Sequence, residues 1–257
     1  MLTISIRARY RHGLLIGLVG ALAAAAWWSL TPLSTISSLA HLHHHHRPAG
    51  GGISLMQVGF FSASWTVMTI AMMLPTTLPL VIIFDRLASE RRLRLGLVAL
   101  LIAGYLVVWA LFGIVVDVTV IATSALAQAS PWVGQRAWTG GSLVLLVAGL
   151  YQFTSLKHRC LEKCRSPLSF VIEHWRGRRE AWEAFHLGLH HGLFCVGCCW
   201  TLMLLMVGVG LGSVSWMLIL GAVMAVEKNV PWGRHLSTPL GIGLIVWSGV
   251  ALLGRLA

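Results

Sequence analysis

The chain is poor in charge. Of its 257 residues only 11% are charged, and 8 acidic residues stand against 19 lysines and arginines. Soluble domains carry roughly 25% charged residues. That deficit, with 57% hydrophobic residues and a mean hydropathy of +0.79, excludes a soluble domain and predicts a multi-span membrane protein. Other absences narrow the function. No phosphate-cradling Gly-Lys-Ser/Thr loop and no Asp-Lys-Thr-Gly phosphorylation sequence occurs, which argues against an ATP-driven pump within the chain. No HEXXH or Gly-x-Ser-x-Gly pattern supports a membrane protease. Five cysteines in so apolar a chain do not make a secreted disulfide framework. No clear small-x-small cleavage signal follows the first apolar run, so it reads as a retained anchor. A net charge of +11 suggests nucleic acid until the charges are located. They cluster in short loops between apolar runs, which removes that partner.

Apolar stretches of about 17–25 residues can cross the hydrocarbon core. Seven are expected, at 13–30, 54–78, 95–122, 139–156, 190–210, 213–227 and 238–254. The chain thus reads as a single all-α integral membrane domain over 1–257, a polytopic bundle in a lipid bilayer. The second stretch runs on to Phe84, and Pro75 and Pro79 are expected to kink it or turn it along the surface. The basic residues fall on alternate loops. One side holds Arg7, Arg9, Arg11, Arg86, Arg91, Arg92, Arg94, Lys157, Arg159, Lys163, Arg165, Arg176, Arg178, Arg179, Lys228 and Arg234, and the other only Arg47, Arg136 and Arg255. Sixteen against three predicts a cytoplasmic N-terminus and an external C-terminus. Between spans four and five, Leu168, Ile172, Trp175, Trp182, Phe185 and Leu189 recur at helical intervals beside Arg176, Arg178, Arg179 and Glu180. That pattern predicts an amphipathic helix on the cytoplasmic interface.

All the cysteines sit at two neighbouring helix ends. Cys195, Cys198 and Cys199 share one helical face by their spacing, and Cys160 and Cys164 are four apart. Thiolates are soft ligands for Cu(I), Zn(II) or iron–sulfur clusters and also run thiol redox. Buried packing is the plain alternative. A shared site requires spans four and five to touch, as sequential elements usually do. His190 and His191 stand one turn before Cys195, and His191 is placed to complete a Cys/His site. Met68, Met72 and Met73 fall in span two, and Met203 and Met206 continue the face of Cys199. Thioethers turn the preference toward Cu(I), although methionine also fills gaps in membrane cores. On the opposite side, His41 and the run His43, His44, His45 and His46 precede Pro48 in the first external loop. Clustered imidazoles there offer a loose external metal site. Glu227 and Lys228, before Pro231, read as a helix-end ion pair.

Three blocks carry a resemblance. They are Trp65-Thr66-Val67-Met68-Thr69-Ile70-Ala71-Met72-Met73-Leu74-Pro75-Thr76, then Tyr151 to Lys157 with Cys160-Leu161-Glu162-Lys163-Cys164-Arg165-Ser166-Pro167, and His191-Gly192-Leu193-Phe194-Cys195-Val196-Gly197-Cys198-Cys199-Trp200 through Leu202-Met203, with Glu227-Lys228 and Pro231 beyond. Together they span about 60–235 and resemble a bacterial family of metal-binding integral membrane proteins of unestablished function, sometimes described as copper chaperones. Ser213-Val214-Ser215-Trp216 departs from it where a Met-Asn precedes the tryptophan. The resemblance implies metal handling in a bacterial inner membrane without specifying a reaction, and it lends nothing to the poly-His loop. The expectation is a multi-pass protein that binds a soft metal, copper before zinc. Its ligands are drawn from Cys160, Cys164, Cys195, Cys198, Cys199 and His191, with Met72, Met73 and Met203 as secondary contacts. Such a protein delivers metal to a membrane or periplasmic partner and turns over no organic substrate. A membrane thiol–disulfide oxidoreductase and a structural subunit of a membrane complex are the rival classes. Cytoplasmic cysteines argue against the first, because disulfides form on the oxidising side.

Overall fold

The structure, a computed structural model, describes residues 13–30, 55–130, 139–209 and 214–254, and every element among them is helical. The poly-His loop, the N-terminal arginines, Arg47, Arg136, Arg255 and the turn at 210–213 lie outside the described residues. In chain order the elements are α1 (Gly13–Leu30), α2 (Leu55–Met72), a 3-10 turn (Pro75–Thr77), α3 (Leu78–Leu87), α4 (Arg94–Ala129), α5 (Thr139–Tyr151), α6 (Ser155–Arg165), α7 (Pro167–His174), α8 (Glu180–Val209), α9 (Val214–Asn229), a second 3-10 turn (Gly233–Leu236) and α10 (Ser237–Leu253).

Gly13–Leu30, Arg94–Ala129, Glu180–Val207 and Gly233–Leu253 are long and apolar enough to cross a membrane. Two further pairs pass the same test but are bent, Val58–Met72 with Pro75–Leu87 by 45° and Thr139–Tyr151 with Ser155–Arg165 by 65°. That makes up to six candidate spans, and α9, with 16 residues, falls short of that length. The outer faces are apolar. Leu111, Val115, Leu218, Ile219, Val246 and Val250 are all exposed. So much uncovered aliphatic surface is what lipid accommodates and water does not.

The first bend is the one the prolines predict. Pro75 has no N–H to donate, and a 3-10 turn replaces the regular ladder before α3 resumes at Leu78. The second bend corrects the expected span at 139–156. That helix ends at Tyr151, and Thr154 caps a new one by accepting from the Lys157 N–H. Cys160 and Cys164 therefore ride on a separate helix inclined by 65° to the one before it.

The interfacial helix expected from Leu168 to Leu189 is also corrected. Its stripe is divided between α7 and the first turns of α8. Gly177 breaks the helix with φ 71°, a left-handed value suited to glycine. The Glu183 carboxylate accepts the N–H groups of Arg176, Gly177, Arg178 and Arg179, which ties the break to the start of α8. Phe170 and Val171 turn inward to pack with Leu80, Phe84, Leu97, Leu101 and Leu187.

The helices α4 and α8 share the most extensive contact in the molecule. A Cβ on Gly188 would sit 2.0 Å from the Leu101 carbonyl oxygen, and one on Gly104 would sit 2.2 Å from that of Phe185. Gly188-x-x-x-Gly192 on α8 thus lets the two backbones meet, the small-residue packing that membrane helices use. The main core surrounds this seam. It gathers Trp65, Tyr105, Trp109, seven methionines and four of the five cysteines as buried members, with Cys164 packed against it.

Candidate metal centre

Three helices supply the cysteines' surroundings. α8 presents Cys195, Cys198 and Cys199, all buried. α6 packs across α8 at Gly197, where a Cβ would lie 2.7 Å from the Cys160 sulfur. One turn on, Cys164 packs against the same core that holds Cys195, Cys198 and Cys199. The Cys198 and Cys199 thiols both reach the Cys195 carbonyl oxygen. The two cysteine groups therefore meet, with Cys195 at the centre. Cys160 stands to one side, against Gly197. All five cysteines are free thiols.

α2 contributes sulfur of a different kind. Met73 Sδ lies 3.9 Å from Cys199 Sγ. Met72 points elsewhere and packs against Gly221 of α9, where a Cβ would touch its terminal methyl at 3.0 Å. Met72 closes α2 and Met73 begins the turn that follows, so the two side chains leave the backbone in different directions. Met203, one turn beyond Cys199, is buried in the same core. His191 is buried too, with its ring 5.8 Å from that of Tyr105 and 5.6 Å from that of Phe170, and its Nδ1 has no hydrogen-bond partner.

Three residues at the site escaped the sequence reading. Tyr105 of α4 places its hydroxyl 3.1 Å from Cys195 Sγ. Lys228 of α9 donates from Nζ to Cys195 Sγ at 3.0 Å, to Thr76 Oγ1 at 3.4 Å and to Met73 Sδ at 3.5 Å. The expected pair of Glu227 with Lys228 does not form. Consecutive residues face different sides of a helix, and Glu227 instead accepts from Lys157 Nζ at 2.7 Å and from the Ser237 hydroxyl at 2.7 Å. Gln152 also accepts from Lys157, and Arg165 donates to the Glu227 and Pro231 carbonyls. This buried network holds α6, and with it the cysteine pair, against the end of α9. A cue lay in the spacing of Met217, Gly221, Met224 and Lys228. These positions at i, i+4, i+7 and i+11 carry the lysine along one inward stripe of α9.

The donor chemistry suits a soft monovalent ion, with thiols and a thioether in a buried core. The spacing is that of a closed cluster. Cys198 and Cys199 both donate to the Cys195 carbonyl oxygen, at 3.1 and 2.9 Å. Among the described residues, no group of three or more His, Cys, Asp or Glu side chains is arranged to hold a metal ion.

Fold and site together define an all-helical protein with helices long and apolar enough to cross a membrane and cysteines gathered in its core. A family model described as PpoB2, copper chaperone, matches residues 62–251, and the chain belongs to that family. No curated protein and no solved structure matches it.

Proposed function

We propose that this chain is a seven-span inner-membrane protein, N-terminus in the cytoplasm, that carries Cu(I) and passes it to a membrane or periplasmic partner. The ion is cargo. Its ligands are drawn from Cys164, Cys195, Cys198 and Cys199, with Met73 alongside and Cys160, His191, Met72 and Met203 around them. One observation carries the reading: thiols from two helices and the Met73 thioether at the end of α2 gather in one buried core. The family description supports copper as the metal. Soft sulfur donors favour Cu(I) over hard cations, and the thioether favours it over Zn(II). The poly-His loop is proposed as an external, low-affinity site for Cu(II) or Zn(II).

Titration of reduced, detergent-purified protein with Cu(I) against a competing chelator tests this. Wild type is expected to hold Cu(I) tightly. Cys195→Ser is expected to weaken it beyond about 100-fold, the loss that changes around a metal's ligands alone can reach. Unchanged affinity in Cys195→Ser and Cys198→Ser would remove the thiol site from the copper reading.

A further inference from the structure

Lys228 has no part in the ligand set just described, yet it sits inside it. An ammonium has three donor protons, and here three partners receive them: Cys195 Sγ, Thr76 Oγ1 and Met73 Sδ. Two of those partners are sulfurs that a soft metal needs. The remaining thiols fit the same picture, since Cys198 and Cys199 are tied to the Cys195 carbonyl and are not spread around a void. As folded, the cluster already holds a cation.

A second cation cannot simply join it. Like charges a few Å apart in a low-dielectric interior repel strongly, and the ammonium covers the Cys195 and Met73 lone pairs. The side chain also has a way out. Lys228 lies in the last turn of α9, and Asn229 beside it is exposed. A four-carbon stem anchored there can turn its head to water at the helix end, as membrane lysines do.

We propose that the Lys228 ammonium is the resident cation of the sulfur cluster, and that Cu(I) loads by displacing it from Cys195 and Met73 toward the end of α9. This inference rests on the copper reading above. At Cys195, which meets the ammonium as a thiolate, one monovalent cation replaces another and copper stays in its +1 state; the ammonium leaves with its three protons, and each further thiol that ligates copper gives up its own proton to solvent. When the metal departs, Lys228 re-covers the sulfurs and closes the empty site.

The chain has three lysines in three different settings, which makes the movement readable. Lys163 is exposed, Lys157 is buried against Glu227, and Lys228 is buried among the sulfurs. Full-length protein in detergent, kept reduced, is treated with an amine-acylating reagent before and after one equivalent of Cu(I), and each lysine is followed by mass spectrometry. Lys163 is expected to react in both states and Lys157 in neither. Lys228 is expected to react only after Cu(I), with a rate rise of more than about tenfold, as for a side chain moved from mostly inward to mostly outward. Lys228→Leu removes the competitor without adding a sulfur ligand. It is expected to bind Cu(I) faster and roughly tenfold more tightly, and the protection of Lys157 reports whether it has folded. If Cu(I) binds while Lys228 stays protected, the exchange is overturned and the copper reading stands. Labelling of Lys157 together with Lys228 would mean general loosening and also overturns it. Absence of Cu(I) binding in every form overturns both. Should Lys228→Leu fail to fold, the wild-type labelling decides alone.

Discussion

Glu227 and Lys228 are neighbours in sequence that act in different places. Glu227 is the hub of a buried network in which the Lys157 ammonium has the carboxylate and the Gln152 side chain as its partners. Deleting one member of such a pair strands a charge without water. Glu227→Ala is therefore expected to destabilise the fold by about 3–5 kcal/mol, read from denaturant unfolding in detergent. Glu227→Gln keeps an acceptor for Lys157 and should lose less. The adjacent methionines divide in the same way. Met73 touches Cys199 and Lys228, whereas Met72 packs on Gly221. Met73→Leu should weaken Cu(I) by about tenfold, equivalent to 1.4 kcal/mol, and leave Zn(II) nearly unchanged. Met72→Leu should alter neither. Equal effects of the two substitutions would mean that both side chains only fill space.

Among the elements, the seam between α4 and α8 is held by backbone proximity, and its glycines can be tested individually. Gly188→Ala drives a methyl group to 2.0 Å from a main-chain oxygen, so the helices must part. Overpacking of this kind costs about 1–3 kcal/mol. Gly59 of α2 has nothing within 4 Å of its Cβ position. There the same change should stabilise by about 0.5–1 kcal/mol through helix propensity alone. Paired unfolding midpoints of the two variants separate close packing from propensity. The pair Lys163–Glu173, joining α6 to α7 at 2.9 Å, sits at the other extreme. The hydrogen bond and charge of Lys163 hold the Glu173 carboxyl below its ordinary range. A carboxylate with a depressed folded pKa stabilises above its unfolded value and loses that contribution as pH falls through the folded one. Both groups are solvated, so Glu173→Gln should leave the thermal midpoint at neutral pH unchanged. A large shift would show that this bridge holds α7 in place.

For the whole molecule, the decisive quantity is which side of the bilayer the basic loops occupy. The proposed orientation predicts cytoplasmic behaviour for reporter fusions after Arg94 and Arg179, and external behaviour for fusions after Gly52 and at the C-terminus. An external signal after Arg179 would put the thiol cluster near the oxidising side and favour thiol–disulfide exchange over copper handling.

Composition alone pointed to long apolar helices, and among the described residues four helices are long and apolar enough to cross a membrane. Helical phase likewise put Cys195, Cys198 and Cys199 on one face, and the prolines marked the bend after Met72. These are properties of a chain over one or two turns. Whatever depends on how two helices meet was decided by tertiary structure. The turn after Tyr151 rests on a single threonine cap, and it carries Cys160 and Cys164 onto a helix of their own. The division of the 168–189 stripe rests on one glycine with positive φ and one carboxylate. The separation of Glu227 from Lys228 follows from the 100° step of a helix, and that of Met72 from Met73 from the end of α2 between them, but which side faces sulfur depends on what packs there. Periodicity reports that a face is buried and is silent on its neighbours. Lys228 looked like the end of a helix, and only the approach of α9 to α2 and α8 set its ammonium among the thiols.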